Sequence, residues 1–279
     1  MRSLGIDVGV GKGLDVVLLD ERFVPLHVSS RTHVGDVGRL IADLRPDVVA
    51  IDSPPRWASS GRSRLTEREL AALNISSFNT PSEEHGAGNR FFAWMEAGFE
   101  VFAKAEAAGF PTYRAGSPRG KAIEVFPHAT AVVLAGCLAP DGIRKRAFRT
   151  AVLRSEGVRT DELGTQDRVD AALAALTGLY ALGGKRFAPG DPREGVIVVP
   201  SATLPAVPYR RGTVAPSGST PLFAYCACGD ASCDRLVRGE FAPGHDAKRK
   251  AMLWSRARAG AQALDELRTR GWKAPPELR

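Results

Sequence analysis

Aspartates inside apolar, strand-like runs are the feature that most restricts how this chain can fold. Asp7 lies in the run LGIDVG at residues 4–9, and Asp52 ends the run DVVAID at residues 47–52. An ionised carboxylate among apolar side chains is unfavourable unless it binds a partner. We therefore predict that Asp7, in the middle of its strand, and Asp52, at the end of its strand, point into a site. For Asp52, capping of the following turn is the alternative interpretation.

The runs around these aspartates predict an α/β chain. Two strand-like runs follow the first aspartate, and the glycine-rich connector GVGKG at 9–13 indicates a turn, so an antiparallel meander is the simplest arrangement. Helical spacing of apolar residues predicts helices between the later strands. The predicted strands are 4–9, 14–20, 23–29, 47–52, 122–126 and 195–199, and the predicted helices include 37–44, 89–108 and 166–182.

Three further acidic residues lie on the later elements. Asp167 and Asp170 have i, i+3 spacing and so share one face of the helix over 166–182. The small residues that follow them allow this helix to approach a sheet closely. Glu124 lies in the strand AIEVF. Each also has a structural interpretation, because the two aspartates could complement the helix N-terminus and Glu124 could be a surface charge on an edge strand.

Clustered carboxylates have a definite chemistry. Carboxylates within a few ångströms of one another repel, so that one stays protonated or a cation bridges them. Hard divalent cations such as Mg²⁺ and Mn²⁺ prefer oxygen ligands. Two such ions about 3.5–4 Å apart can stabilise the attacking and the leaving oxygen in phosphoryl transfer. The acidic residues therefore predict a Mg²⁺ or Mn²⁺ site.

The ordered set of motifs resembles the ribonuclease H-like fold. More closely, it resembles the bacterial family of predicted ribonuclease H-like nucleases catalogued as domain of unknown function 429. This resemblance implies a mixed sheet flanked by helices and a metal-dependent nuclease. The matching pieces, within residues 1–200, are GIDVG at 5–9, AIDSP at 50–54, EVFP at 124–127, QDRVDAALAAL at 166–176 and EGVIVVP at 194–200.

The resemblance also implies roles for the acidic residues. In nucleases of this fold the first-strand aspartate, the fourth-strand acid and the acids of the last helix hold the metal. Carried over, the metal ligands are Asp7, Asp52 and Asp170, and Asp167 and Glu124 complete the predicted catalytic set. The last helix also resembles that of Holliday-junction resolvases, which favours Asp170 over Asp167 as a ligand.

An arginine-rich stretch, residues 62–68, occupies the position of a similar segment in that family. It either contacts phosphates or forms a solvated basic helix face.

A cysteine cluster marks the C-terminal part of the chain. Three thiolates and one imidazole are the ligand set of a structural Zn²⁺ site, and three clustered cysteines would leave one unpaired in a disulfide scheme. Asp230 or Asp234 is the alternative to the histidine as fourth ligand. The segment resembles small CxC…GHD modules attached to assorted bacterial proteins. The predicted ligands are Cys226, Cys228, Cys233 and His245.

These features predict three regions. Residues 1–200 form the ribonuclease H-like domain with an insertion at 56–116, residues 201–221 form a proline-rich linker, and residues 222–279 form the zinc module and a C-terminal helix. The formal net charge of +7 permits a nucleic-acid partner. Without an apolar leader or a run long enough for a bilayer, we expect a cytoplasmic protein with no membrane partner. The oligomeric state stays open.

Two other functions fit parts of the sequence. The actin-like and sugar-kinase superfamily shares this fold core, and Asp7–Val8–Gly9 would match its first phosphate loop, although Asp52 is followed by Ser–Pro–Pro. An inactive scaffold that binds nucleic acid or protein is the other alternative, which retention of all the expected acids disfavours. A dinucleotide-binding site is excluded, because the glycines do not fit G-x-G-x-x-G and a strand follows them.

Overall fold

A computed structural model describes residues 1–9, 11–212, 224–225, 236–237, 246–247, 249–251, 253, 267–270 and 272–273 of the chain. The chain divides into two compact units, Met1–Arg211 and Gly212–Arg279. In the second unit, β8 (Ala224–Tyr225) pairs antiparallel with β9 (Leu236–Val237). The predicted zinc ligands lie outside the described residues.

The first unit contains the predicted α/β elements. Its main strands are β1 (Arg2–Gly9), β2 (Gly13–Asp20), β3 (Pro25–Thr32), β4 (Val48–Asp52) and β5 (Ala122–Glu124), with a two-residue pair β6 (Gly190–Asp191) and β7 (Gly195–Val196). Its α-helices are α1 (Val37–Leu44), α2 (Leu65–Ala72), α3 (Glu83–Gly86), α4 (Ala93–Ala107), α5 (Pro127–Ala135), α6 (Lys145–Ser155) and α7 (Gln166–Leu182).

Five strands form one mixed sheet in the order β3-β2-β1-β4-β5. The first three strands pair antiparallel, and β4 and β5 run parallel to β1. The predicted mixed sheet and meander are therefore confirmed. Strand β1 lies in the centre of the sheet and β4 lies beside it.

Helix α7 packs directly against the centre of the sheet. A Cβ placed on Gly5 would lie 2.0 Å from the carbonyl oxygen of Ala171 and 2.4 Å from the backbone nitrogen of Ala175. Backbone atoms cannot give way at such distances, so β1 requires glycine at this position. The small residues of α7 are buried, which confirms that they allow a close approach to the sheet.

The other face of the sheet packs on α1 and α4. Leu4, Ile6 and Ile51 belong to the apolar cluster that includes residues of these two helices. Because side chains alternate along a strand, Gly5 and Asp7 face the opposite side, toward α7. The same alternation places Asp52 on the α7 face of β4.

The predicted helical segment over 89–108 is confirmed as a short 3₁₀ turn, Arg90–Phe92, followed by α4. Two predicted strands were too long. The strand over 122–126 ends at Glu124, because Phe126 caps α5 and Pro127 begins it. The strand over 195–199 is reduced to β7, since the residues after it form single bridges to two different partners. No helix of the described residues is both long and apolar enough to cross a membrane.

Candidate functional site

Two aspartates lie side by side at the carboxyl ends of adjacent strands. In the parallel pair of β1 and β4, Asp7 is aligned with Asp52. Neighbouring strands are about 4.8 Å apart, and both side chains point to the α7 face. The sheet thus brings together the two carboxylates that the sequence predicted for the site.

The surroundings of these carboxylates oppose their ionisation. Burial, followed by repulsion from Asp52, Asp170 and other nearby aspartates, raises the pKa of Asp7 to about 9. Burial and the Asp170 carboxylate raise the pKa of Asp52 to about 7, although a hydrogen bond with Asp7 acts in the other direction. Near neutral pH the pair therefore holds a proton, with Asp7 as the donor and Asp52 as the acceptor.

Helix α7 adds Asp170, which is buried and held by two hydrogen-bond donors and one ammonium group. Arg149 on α6 donates from Nη1 to its Oδ1 at 2.5 Å, and Gln166 donates from Nε2 to the same oxygen at 2.9 Å. The ammonium of Lys145 lies 3.6 Å from its Oδ2. Asp170 is thus fixed in place by a buried arginine. Asp167 lies in the first turn of α7, one turn before it.

Glu124 lies on the other face of the sheet. It is aligned with Ile51, whose side chain packs toward α1 and α4. Its two oxygens accept hydrogen bonds from Nη1 and Nη2 of Arg64 at 2.7 and 2.5 Å, and Arg64 also binds Glu67 of α2. Glu124 is buried, so it is not the surface charge that the structural interpretation of the sequence allowed.

Arg64 corrects the prediction for the arginine-rich stretch. Only 1% of its side chain is exposed, because it is enclosed with two carboxylates between the insertion and β5. It is therefore neither a phosphate contact nor part of a solvated face. Arg62 and Arg68, by contrast, are exposed as the solvated-face interpretation predicted.

A further aspartate, Asp15, was missed by the sequence reasoning. It is aligned with Asp7 across the hairpin of β1 and β2 and contributes to the repulsion that raises the pKa of Asp7. Ser30 donates a hydrogen bond to its carboxylate, and Nε of Arg168 lies 3.9 Å from it. The signal was present in the sequence, because a hairpin centred on Gly11 necessarily places residue 15 opposite residue 7.

His128 on α5 was also missed. Its burial, followed by the charges of Arg149 and Lys145, lowers its pKa to about 4. The imidazole is therefore neutral at physiological pH. No pattern in the sequence distinguishes this histidine, since its environment depends on the packing of α5 against α6.

A cavity of about 370 Å³ opens beside the carboxylates. Its lining includes two acidic residues, Asp52 and Glu124, two of the cationic residues of α6, and residues of the segment 56–116. The lining of this cavity includes Val8, Asp52, Arg64, Glu124, Lys145 and Arg149, with Ser77, Phe78, Phe91 and Trp94 from the insertion.

The chemistry of the aspartate pair fits a divalent cation. Among the described residues, no three His, Cys, Asp or Glu side chains are grouped so that they could ligate one ion. Mg²⁺ does not need such a cage, since it is usually held by one or two carboxylates, several waters and substrate phosphates. Asp7 and Asp52 provide two carboxylates whose mutual repulsion a cation would relieve.

Comparison with known protein families shows that the region with the sheet and its carboxylates matches one family. Residues 5–194 match the family described as "Protein of unknown function (DUF429)", which is more than half of the chain. The chain belongs to this family. No curated protein matches the DUF429 chain.

The solved structures that resemble the DUF429 chain include two of the same protein. They are Thermus thermophilus RuvC, at 16% identity, and T. thermophilus RuvC in complex with a Holliday junction substrate, at 18% identity. Each match covers 66% of this chain and 97% or 96% of RuvC respectively, with a TM-score of 0.37. Likeness at this level assigns no activity.

Proposed function

We propose that this DUF429 chain is a divalent-metal-dependent nuclease that hydrolyses phosphodiester bonds in nucleic acid. The observation that carries the proposal is the alignment of Asp7 with Asp52 at the carboxyl ends of two adjacent strands. Both carboxyls have raised pKa values, and both face the acidic first turns of α7. A buried pair of this kind stabilises little in the fold itself, which favours a role in binding a cation.

In this proposal Asp7 and Asp52 hold a Mg²⁺ or Mn²⁺ ion, and Asp170 and Asp167 on α7 complete the acidic surroundings. The bound ion would polarise a phosphoryl oxygen and lower the pKa of a water molecule. Asp170 also orients Arg149, because it accepts a hydrogen bond from the guanidinium. Arg149 and Lys145 place positive charge beside the carboxylates, where it would attract a phosphate group.

We assign Glu124 a positioning role. It holds Arg64, and Arg64 in turn holds Glu67 of α2, so the insertion is fixed to β5 at the side of the cavity. Buried arginine–carboxylate contacts of this kind specify one arrangement of the elements that they join. Glu124 would therefore influence activity through the shape of the cavity.

The second unit contributes a separate proposal that rests on the sequence alone. Cys226, Cys228, Cys233 and His245 would bind one structural Zn²⁺ ion. Lys248, Arg249 and Lys250 follow the histidine after two intervening residues, and they would contact phosphate groups.

The test of the nuclease proposal is cleavage of labelled DNA, RNA, DNA–RNA hybrid and branched DNA with Mg²⁺ or Mn²⁺. Cleavage of at least one substrate should need the metal and should disappear in Asp7→Asn and in Asp52→Asn. Asp43→Asn is the matched control, because Asp43 is an exposed residue of α1. Undiminished cleavage by Asp7→Asn would overturn the mechanism. Metal-dependent ATP hydrolysis without cleavage would favour a phosphotransferase instead.

A further inference from the structure

Exposed aromatic side chains from the insertion form one wall of the cavity. The rings of Phe78 and Phe91 have centroids 5.8 Å apart, and those of Phe78 and Trp94 are 6.0 Å apart. We call these three residues the aromatic wall. The side chains of Phe78 and Phe91 are 64% and 59% exposed, although phenylalanine is normally buried. Contiguous exposed apolar surface of this kind marks a binding site.

Two residues that line the cavity also carry a buried polar atom without a partner. Nε of Arg149 and Oγ of Ser77 belong to residues that line it, and both atoms are buried without a hydrogen-bond partner among the described residues. Buried polar atoms are normally paired. The cavity therefore combines exposed aromatic rings with the positive charge of Lys145, and two of its lining residues carry buried, unpaired polar atoms.

These observations point to the substrate class of the proposed nuclease, and the inference rests on that proposed function. We propose that the aromatic wall stacks an unpaired base of a single-stranded nucleic acid, while Lys145, whose side chain is 61% exposed, binds its phosphate. A nucleotide has a flat π face and an adjacent anion, which match the aromatic wall and the positive charge of Lys145. Aromatic residues and cations together are typical of surfaces that bind single strands.

The wall would discriminate between single strands and duplexes. Inside a duplex both faces of each base are covered by neighbouring bases, so Phe78 and Phe91 could not stack on them. Every unpaired base exposes a π face, and stacking therefore shows little dependence on sequence. The preferred substrates would be single strands or duplexes that contain unpaired nucleotides.

The test measures binding without catalysis. Fluorescence anisotropy in EDTA would measure the binding of three labelled substrates at one salt concentration. They are a single strand, the same strand annealed to its complement, and a duplex with one unpaired nucleotide, each prepared as DNA and as RNA. We expect the single strand to bind at least 10-fold more tightly than the blunt duplex. Phe78→Ala should weaken single-strand binding by about 5- to 150-fold and leave duplex binding unchanged.

Three variants distinguish stacking from other effects. Phe78→Trp retains an aromatic face and should retain binding, whereas Phe78→Leu should behave like Phe78→Ala. Phe187→Ala is the matched control, because Phe187 is 39% exposed and does not line the cavity. If Phe78→Leu binds as tightly as Phe78→Trp, or if Phe78→Ala leaves single-strand binding intact, the stacking proposal is overturned.

The outcome is separable from that of the nuclease proposal. Mn²⁺-dependent cleavage that shows no preference for unpaired nucleotides, together with unaltered binding by Phe78→Ala, would overturn only the aromatic wall. Stacking-dependent binding without cleavage of any substrate would support the stacking proposal and overturn the nuclease proposal. If none of the three nucleic-acid substrates binds, the proposal is contradicted. The aromatic wall would then bind an apolar partner of another kind.

Discussion

Replacing Asp7 by Asn should stabilise the fold while it abolishes activity. Asparagine has nearly the shape of a protonated aspartate, so it can still donate to Asp52, but it cannot ionise. In the native chain, burial and neighbouring carboxylates raise the pKa of Asp7 from 3.8 to about 9. The folded state therefore holds a proton that the unfolded chain releases.

The size of the effect follows from this difference in pKa. Between the unfolded value of 3.8 and the folded value of about 9, the free energy of unfolding falls by about 1.4 kcal/mol for each pH unit. Stability is therefore highest at low pH within this window and is lost as the pH rises. At pH 7 the loss from Asp7 is about 4 kcal/mol, and at pH 4 it is close to zero.

Urea unfolding in EDTA at pH 4, 7 and 8.5 measures this difference. Asp7→Asn should be more stable than the native chain by up to about 4 kcal/mol at pH 7 and similar to it at pH 4. Asp43→Asn, an exposed change on α1, should stay within about 0.5 kcal/mol of the native chain. A stability difference for Asp7→Asn that does not change with pH would refute the reasoning.

Three other changes test the packing and the second unit. Gly5→Ala should lower the free energy of unfolding by about 3 kcal/mol or more, because its Cβ would meet the backbone of α7. Gly38→Ala in α1, where a Cβ would meet no other atom within 4 Å, should raise the free energy of unfolding by roughly 0.5–1 kcal/mol. Arg64→Met should cost about 3–5 kcal/mol in urea unfolding, since it leaves buried carboxylates unpaired, and exposed Arg68→Met should change little. Cys228→Ser should reduce the zinc content from one ion per chain to none by metal analysis, and a native chain purified without chelator that contains no zinc would contradict the site.

The central part of the fold could be predicted because its signals are local. The strand-like runs and the turn at residues 9–13 depend on neighbouring residues only, and they predicted the meander and the mixed sheet. The small residues of α7 predicted a close approach to the sheet. The strand over 195–199 could not be predicted in the same way, because its pairing depends on which distant segments lie beside it.

The site residues divide in the same way into those that the sequence predicts and those that depend on tertiary packing. Asp7 and Asp52 could be found because each belongs to an apolar, strand-like run. The face on which Glu124 lies follows from the register of β5 against β4, and nothing in the sequence of either strand specifies that register. Burial of Arg64 depends on where the insertion folds back, and Arg149 lies in a helix whose sequence resembles an ordinary surface helix. Asp15 could have been found from the hairpin.

Binding of Mn²⁺ at pH 8 tests the central claim, that Asp7 and Asp52 form a cation site. Electron paramagnetic resonance counts the bound ions in the native chain, in the double variant Asp7→Asn with Asp52→Asn, and in Asp43→Asn. We predict that the native chain and Asp43→Asn bind at least one Mn²⁺ ion more per chain than the double variant. Equal Mn²⁺ binding by all three proteins would contradict the claim.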